Sequence, residues 1–538
     1  MNKIILSIFL LLVAVFTFAY LYFSNIEAGS KNNNRALSQI PASASLIFSF
    51  KNDDAFYEIF KDYELFDAIT GKENKAEFEI IKNNLLNLKQ INEVSNGQPV
   101  FLSFHPQEKD SISFLWTLPL KSKIESDDLL PAFNQENKIS SKYIDANGIK
   151  IAEIQFAGTK KPFYLYTNKS VANGSFSKNL LLQVLNANSP KISDDFIEEI
   201  NSGSLKNDNS AANVFVNLTT GKEFLNSFFR DKKANGNFNL LSNLSGFSTL
   251  NMNFKNDALM FNGITKTDST TLNYLNLFLH QKAVKNPITR IVPANTAYFI
   301  AFGLSNYSLF NKDLRNFYKS KKELGKLDEV INTISKETGI QANRDIQKYW
   351  GNEFVIFQLS TREKLGAIKL TNGRKLQFFM EPLSTVYSEN IWRLNYPELF
   401  TNYFGEPFKQ FNAPFYTIID NYLITSNSPG SLQRFLSNYN AGKQLYSNSN
   451  FTAFNRLVAD ESNISIYLNV KNSYDNINSL LKRSYSKNIK SDEFGYKKFY
   501  GISYQWSSDG DHFFTNFYAA SKQLVETAVT KDTLIVNQ

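Results

Sequence analysis

Apolar positions along this chain fall into two recurring patterns. Leu46, Phe48 and Phe50 occupy every second position; Val214, Val216 and Leu218 do the same, as do Ile464, Ile466 and Leu468. A period of two places alternate side chains on one face of a β-strand. Elsewhere Phe56, Ile59, Phe60, Tyr63 and Phe66 recur at steps of three and four, with Lys61, Asp62 and Glu64 between them, which is the spacing of a helix with one apolar face. The patterns predict helices at 55–69 and 75–90, strands at 99–104 and 113–118, and a hairpin from 142 to 154 turning at Asn147-Gly148. Asn-Gly also occurs at positions 96, 173, 235, 262 and 372; each is read as a turn, because this dipeptide accepts the positive φ angles of tight hairpins.

The same patterns return at one offset. Ile40-Pro41-Ala42 opens a strand region ending at Phe50, and Val292-Pro293-Ala294 opens a matching region ending at Phe302 (293 − 41 = 252). Pro162-Phe163-Tyr164 matches Pro414-Phe415-Tyr416 (414 − 162 = 252), and Asn217 matches Asn469 (469 − 217 = 252). An offset held from Pro41 to Asn217 is the mark of a tandem duplication. The expected fold class is α+β: two tandem copies of a domain with a mostly antiparallel β-sheet and inserted helices, preceded by one N-terminal transmembrane helix. The expected domains are an anchor and polar linker at 1–38, repeat domains at 39–285 and 286–521, and a short tail at 522–538.

The leading helix is expected from Ile4 to Phe23, twenty residues without a charge. As a helix this run spans about 30 Å, the depth of a bilayer's hydrocarbon core. It is long for a cleaved signal, so an uncleaved signal anchor is favoured over a secretory leader. The bulk of the chain is then expected outside the cytoplasm, as a single-pass protein of the cytoplasmic membrane.

Composition narrows the chemistry. The 538 residues include no cysteine, which excludes disulfides, thiolate metal sites and cysteine nucleophiles. A net charge of +8 is a mild bias; the densest basic stretch, from Lys482 to Lys498, carries Asp492 and Glu493 within it and reads as a solvated face, so no nucleic-acid partner is expected. His105, His280 and His512 are far apart and none has a second ligand at metal spacing, so no metal and no cofactor is expected. Phosphate-binding loops, Gly-x-Gly-x-x-Gly and the Gly-x-Ser-x-Gly elbow are all missing. Asp53-Asp54 and Asp194-Asp195 precede predicted helices and read as caps. Aromatics crowd one segment, where Phe400, Tyr403, Phe404, Phe408 and Phe411 are candidates for a hydrophobic ligand groove or for core packing.

The Pro-led strand regions Ile40 to Phe50 and Val292 to Phe302, behind an apolar leader, resemble a broad uncharacterised family of exported bacterial proteins with a membrane segment and a duplicated region. That resemblance brings no activity and no catalytic residues. The functional expectation is a membrane-tethered extracytoplasmic binding or scaffold protein, its partner an envelope protein, polymer or lipid. The alternatives are an envelope hydrolase with an unfamiliar carboxylate- or Ser-based site, and a purely structural envelope component.

Overall fold

The computed structural model describes residues 31–536, apart from 63–64, 66–70, 108–110, 125–128, 130, 132, 134–138, 147, 169, 207–209, 231–243, 256, 269 and 492–494. The chain divides into two compact units, one formed by Met1–Phe60 with Ala76–Phe215 and the other by Lys61–Lys75 with Val216–Gln538.

The first unit holds β1 (Leu46–Lys51), β2 (Pro99–Gln107), β3 (Ser111–Pro119), β4 (Ile139–Ala146), β5 (Ile149–Phe156), β6 (Phe163–Asn168), β7 (Val171–Ser175) and most of β8 (Ala212–Asn217). Their order across the sheet is β8-β1-β2-β3-β7-β6-β5-β4, with antiparallel pairing throughout the registered ladders. Alternation puts Phe48, Phe50 and Trp116 on one face. Helices α1 (Asp54–Asp62) and α2 (Lys72–Ile81) cover it: Phe50 stacks on Phe56 at 4.1 Å, Phe60 lies 4.3 Å from Phe78, and Phe78 lies 5.0 Å from Trp116. Asp53 caps α1 by accepting the Phe56 N–H at 3.0 Å. Gly148 turns the β4–β5 hairpin at φ +82°, as its sequence predicts. Asn173-Gly174, expected as a turn, instead lies inside β7: the Phe163 ring occupies the place a Cβ would take at Gly174.

The second unit holds β9 (Gly246–Lys255), β10 (Ala258–Thr267), β12 (Thr296–Gly303), β13 (Trp350–Leu359), β14 (Lys364–Leu370), β15 (Ser384–Ser388), β16 (Ile391–Leu394), β17 (Phe415–Ile419), β18 (Tyr422–Ser426), β20 (Ile464–Asn469), β21 (Phe499–Ser508) and β22 (Phe513–Ser521). Their order is β15-β16-β17-β18-β14-β13-β12-β20-β21-β22-β10-β9, again antiparallel; β11 (Val284–Lys285) and β19 (Glu461–Ser462) form a separate short ladder.

Every residue of β12 is buried. Ile300, Phe302, Phe354 and Ile356 point into one apolar cluster with α3 (Tyr307–Ser320) and α4 (Leu324–Thr338); Phe299, Ala301, Val355 and Phe357 point into another with α5 (Pro429–Asn440). Helices therefore cover both faces of the central strands, which explains their near-continuous apolar sequence. Asn306 caps α3 through the Leu309 N–H at 3.0 Å, and Gly339 ends α4 at φ +76°.

The expected N-terminal transmembrane helix is corrected. No helix among the described residues is long and apolar enough to cross a membrane, and the Ile4 to Phe23 segment lies outside the described residues. Among the described residues the fold is a mostly antiparallel sheet with many helices, none of them a membrane-spanning element.

One charged side chain intrudes on the central strands. Glu353 of β13 is buried, accepts the Ile288 N–H at 2.8 Å, and pairs with Lys369 of β14 at 2.7 Å. Removing one partner of a buried pair strands the other. Lys369→Met, which strands the buried Glu353 carboxylate, is expected to lower unfolding free energy by about 3 kcal/mol, measured by urea denaturation, with Glu353→Ala milder because the ammonium it leaves behind keeps contact with solvent.

Candidate functional site

Two arrangements in the first unit rise above ordinary packing, on opposite faces of the same strands. The first is a chain of hydroxyls through a histidine. Ser103 and His105 are two apart on β2 and share a face. His105 is fully buried; its Nδ1 lies 2.8 Å from the Ser43 hydroxyl and its Nε2 lies 2.8 Å from the Ser103 hydroxyl. Ser103 Oγ in turn reaches the Leu115 carbonyl at 3.5 Å, which can only accept. With that bond made, Ser103 accepts from His105 Nε2–H, and the bare Nδ1 accepts the Ser43 O–H. Ser43 sits in the exposed turn after Pro41, so the chain runs from solvent into the sheet. Beside it on the same face, Thr117 donates to Asn173 at 3.0 Å and Asn173 donates to Gln39 at 2.5 Å.

A serine hydrogen-bonded to a histidine is the start of a nucleophile–base pair. The environment here opposes that use. Burial alone pushes the His105 pKa down to about 3, with no carboxylate contributing. A general base must carry a proton for part of the reaction, and in catalytic triads a carboxylate stabilises the imidazolium. His105 is held neutral and has only a second serine behind it.

The second arrangement lies on the other sheet face. Trp116, Leu118, Phe163, Leu165 and Ala172 floor a cavity of about 30 Å³, and Ile81, Leu85, Leu86 and Ile91 roof it. The roof contains a π-helical turn, Lys82–Leu86, in which the Asn87 N–H reaches back to the Lys82 carbonyl at 3.0 Å. Such turns insert one residue into a helix and occur often at functional sites. Among the described residues no ionisable side chain lines the cavity.

The aromatic segment nominated from sequence lies in the second unit. Phe400, Tyr403, Phe404, Phe408 and Phe411 are each at most 2 % exposed and belong to one apolar core. Phe404 lies 5.1 Å from Phe354, and Phe408 lies 5.6 Å from Phe411. Among the described residues no cluster of His, Asp and Glu could hold a metal ion. Asp509 accepts the N–H groups of Asp511 and His512, as a turn residue does. Sequence reasoning passed over Ser43 and His105 because 62 residues separate them; the one available signal was the Ser103-x-His105 spacing on an alternating strand.

The described residues form a mostly antiparallel sheet protein with an apolar cavity and a buried neutral histidine, a class defined by architecture alone. The chain belongs to the uncharacterised family described as "Protein of unknown function (DUF3352)", whose model matches residues 4–381. No curated protein and no solved structure matches the chain.

His105 makes stability depend on pH. Its folded pKa lies below the unfolded value, so the unfolded state binds the extra proton; the stabilisation is complete above about pH 6.5 and is lost as pH falls toward 3. Acidification from pH 7 to pH 5 is expected to cost about 2 kcal/mol through this group. Thermal or urea unfolding of His105→Leu should show that share of the pH dependence removed; an unchanged slope would contradict the assignment.

Proposed function

We propose that this protein is a non-catalytic binding or scaffold protein working outside the cytoplasm, and that its first unit takes an apolar ligand. The observation that carries the reading is the cavity under Lys82–Leu86, whose walls are Ile, Leu, Phe, Trp and Ala side chains with Thr167 and Gly174. Small-molecule sites are predominantly apolar, with orientation supplied by few polar groups. The cavity holds about one methyl-sized group as it stands, so the ligand class is an alkyl or isoprenoid end admitted by movement of the π-helical turn. Work outside the cytoplasm is compatible with a chain that has no cysteine.

We further propose that the chain arose by tandem duplication. Strand order supports it: β4-β5-β6-β7-β3-β2-β1-β8 in one unit has its parallel in β15-β16-β17-β18-β14-β13-β12-β20 in the other. Strand β8 with the helix Leu218–Phe228 and strand β20 with the helix Val470–Leu480 have identical bounds after the shift (464 − 212 = 252; 480 − 228 = 252). Within the second unit, Phe229 bridges Leu481, its own counterpart (481 − 229 = 252).

Under that reading the hydroxyl chain is unique to one copy. Ile47 opposes Ser103, whereas Phe299, its counterpart, opposes Phe357; His105 falls two residues on, at Leu359. A polar chain kept in one copy and replaced by apolar groups in the other favours a second reading, a Ser43-based hydrolase.

One pair of measurements separates them. Titration of the full-length protein with a medium-chain fatty acid, followed by tryptophan emission, is expected to give a saturable change that Ala172→Leu abolishes by filling the cavity. A response that survives the filled cavity defeats the apolar-ligand reading. A fluorophosphonate probe is expected to leave the protein unlabelled; labelling lost in Ser43→Ala moves it to the hydrolases.

A further inference from the structure

The second unit carries a stripe of cations that neither reading uses. The helix α6 (Arg483–Lys490) has the sequence Arg-Ser-Tyr-Ser-Lys-Asn-Ile-Lys. Arg483, Lys487 and Lys490 are spaced by four and three, so they share one face, and all three are exposed. No acidic residue occurs in the helix, and among the described residues no carboxylate forms a salt bridge with any of the three. Asp492 and Glu493, which follow in sequence, lie outside the described residues.

The opposite face is fastened to the fold. Tyr485 packs its ring 4.9 Å from Phe228, and the buried Ser486 donates to Asn478 at 2.8 Å. The helix start is held by backbone bonds to a distant segment: Arg230 N–H donates to the Leu480 carbonyl at 2.9 Å and Lys482 N–H to the Phe228 carbonyl at 2.9 Å. The same contact brings in a fourth exposed cation, Arg230, whose Nε donates to the Leu481 carbonyl at 2.6 Å. Four like charges from two chain segments are thus gathered on one surface. Like charges repel, and holding them together with no salt-bridged carboxylate among the described residues favours an anionic partner.

We propose that this surface, Arg230, Arg483, Lys487 and Lys490, docks the protein on the anionic headgroups of a phospholipid bilayer. A short basic helix with an aromatic underside suits a charged plane: the cations form a row on one exposed face, and the row is complementary to a surface of many phosphates. The contact is peripheral and electrostatic, so it weakens as salt rises.

The test is flotation of the full-length protein with vesicles of phosphatidylcholine, with and without a third of phosphatidylglycerol, at low and physiological salt. Any contribution of the uncharged run at residues 4–23 is common to both lipids and cancels in the comparison. The wild type is expected to prefer the anionic vesicles, and R483A/K487A/K490A to lose about a hundredfold of that preference, from roughly fivefold for each cation near a charged surface. The control K312A/K326A/K336A removes three exposed lysines from another part of the same unit and is expected to retain it. Matching thermal melts establish that the variants fold. The proposal is overturned if the wild type shows no lipid preference, if the stripe variant keeps it, if the control loses as much, or if soluble polyphosphate binds while vesicles do not.

Discussion

Burial of the central strands on both faces is the constraint on which the rest of the structure depends. Strand β12 has no solvent-facing residue, and β13 and β14 contribute Phe354, Val355, Ile356, Phe357 and Ile368 to apolar clusters on either side. Backbone pairing on both sides satisfies ladder N–H and C=O groups, and the side chains supply the apolar area. A polar group placed there has only the protein interior in which to find a partner. Glu353 does so through Lys369 and the Ile288 amide. Ser103 and His105 do so through each other and Ser43.

That constraint decides what each unit can do. In the second unit the faces of β12 and β13 are filled with large side chains, and the aromatic segment from Phe400 to Phe411 completes the packing. In the first unit one face is laced with hydroxyl and amide groups that use up their own hydrogen bonds, and the other keeps a small apolar void beside a π-helical turn. Neutral His105 follows from the same cause: with no counter-charge in reach, burial makes imidazolium the costly state.

Much of the fold was legible from alternation and turn chemistry. Strands at Leu46–Lys51, Pro99–Gln107 and Ile464–Asn469 fall where the period of two places them. Helix Asp54–Asp62 occupies the start of the amphipathic run, and the remainder of that run, at 63–64 and 66–70, lies outside the described residues. Three Asn-Gly pairs misled. Asn173-Gly174 and Asn262-Gly263 lie within strands, because there glycine provides room for a neighbouring ring or backbone rather than a turn. Asn372-Gly373 begins a helix, with Asn372 capping the Lys375 N–H at 2.9 Å.

Local periodicity by itself determined where strands and helices form, because backbone geometry and side-chain direction are properties of a few consecutive residues. It determined the charge pattern on Arg483–Lys490 for the same reason. Only tertiary structure decided which residues distant in sequence would meet. Ser43 and His105, Glu353 and Ile288, and Arg230 and Leu481 are joined by strand order and helix docking, and these depend on how whole apolar faces are covered. The same is true of the aromatic segment: rings that line a groove and rings that fill a core have one composition, and what separates them is whether another layer lies over them.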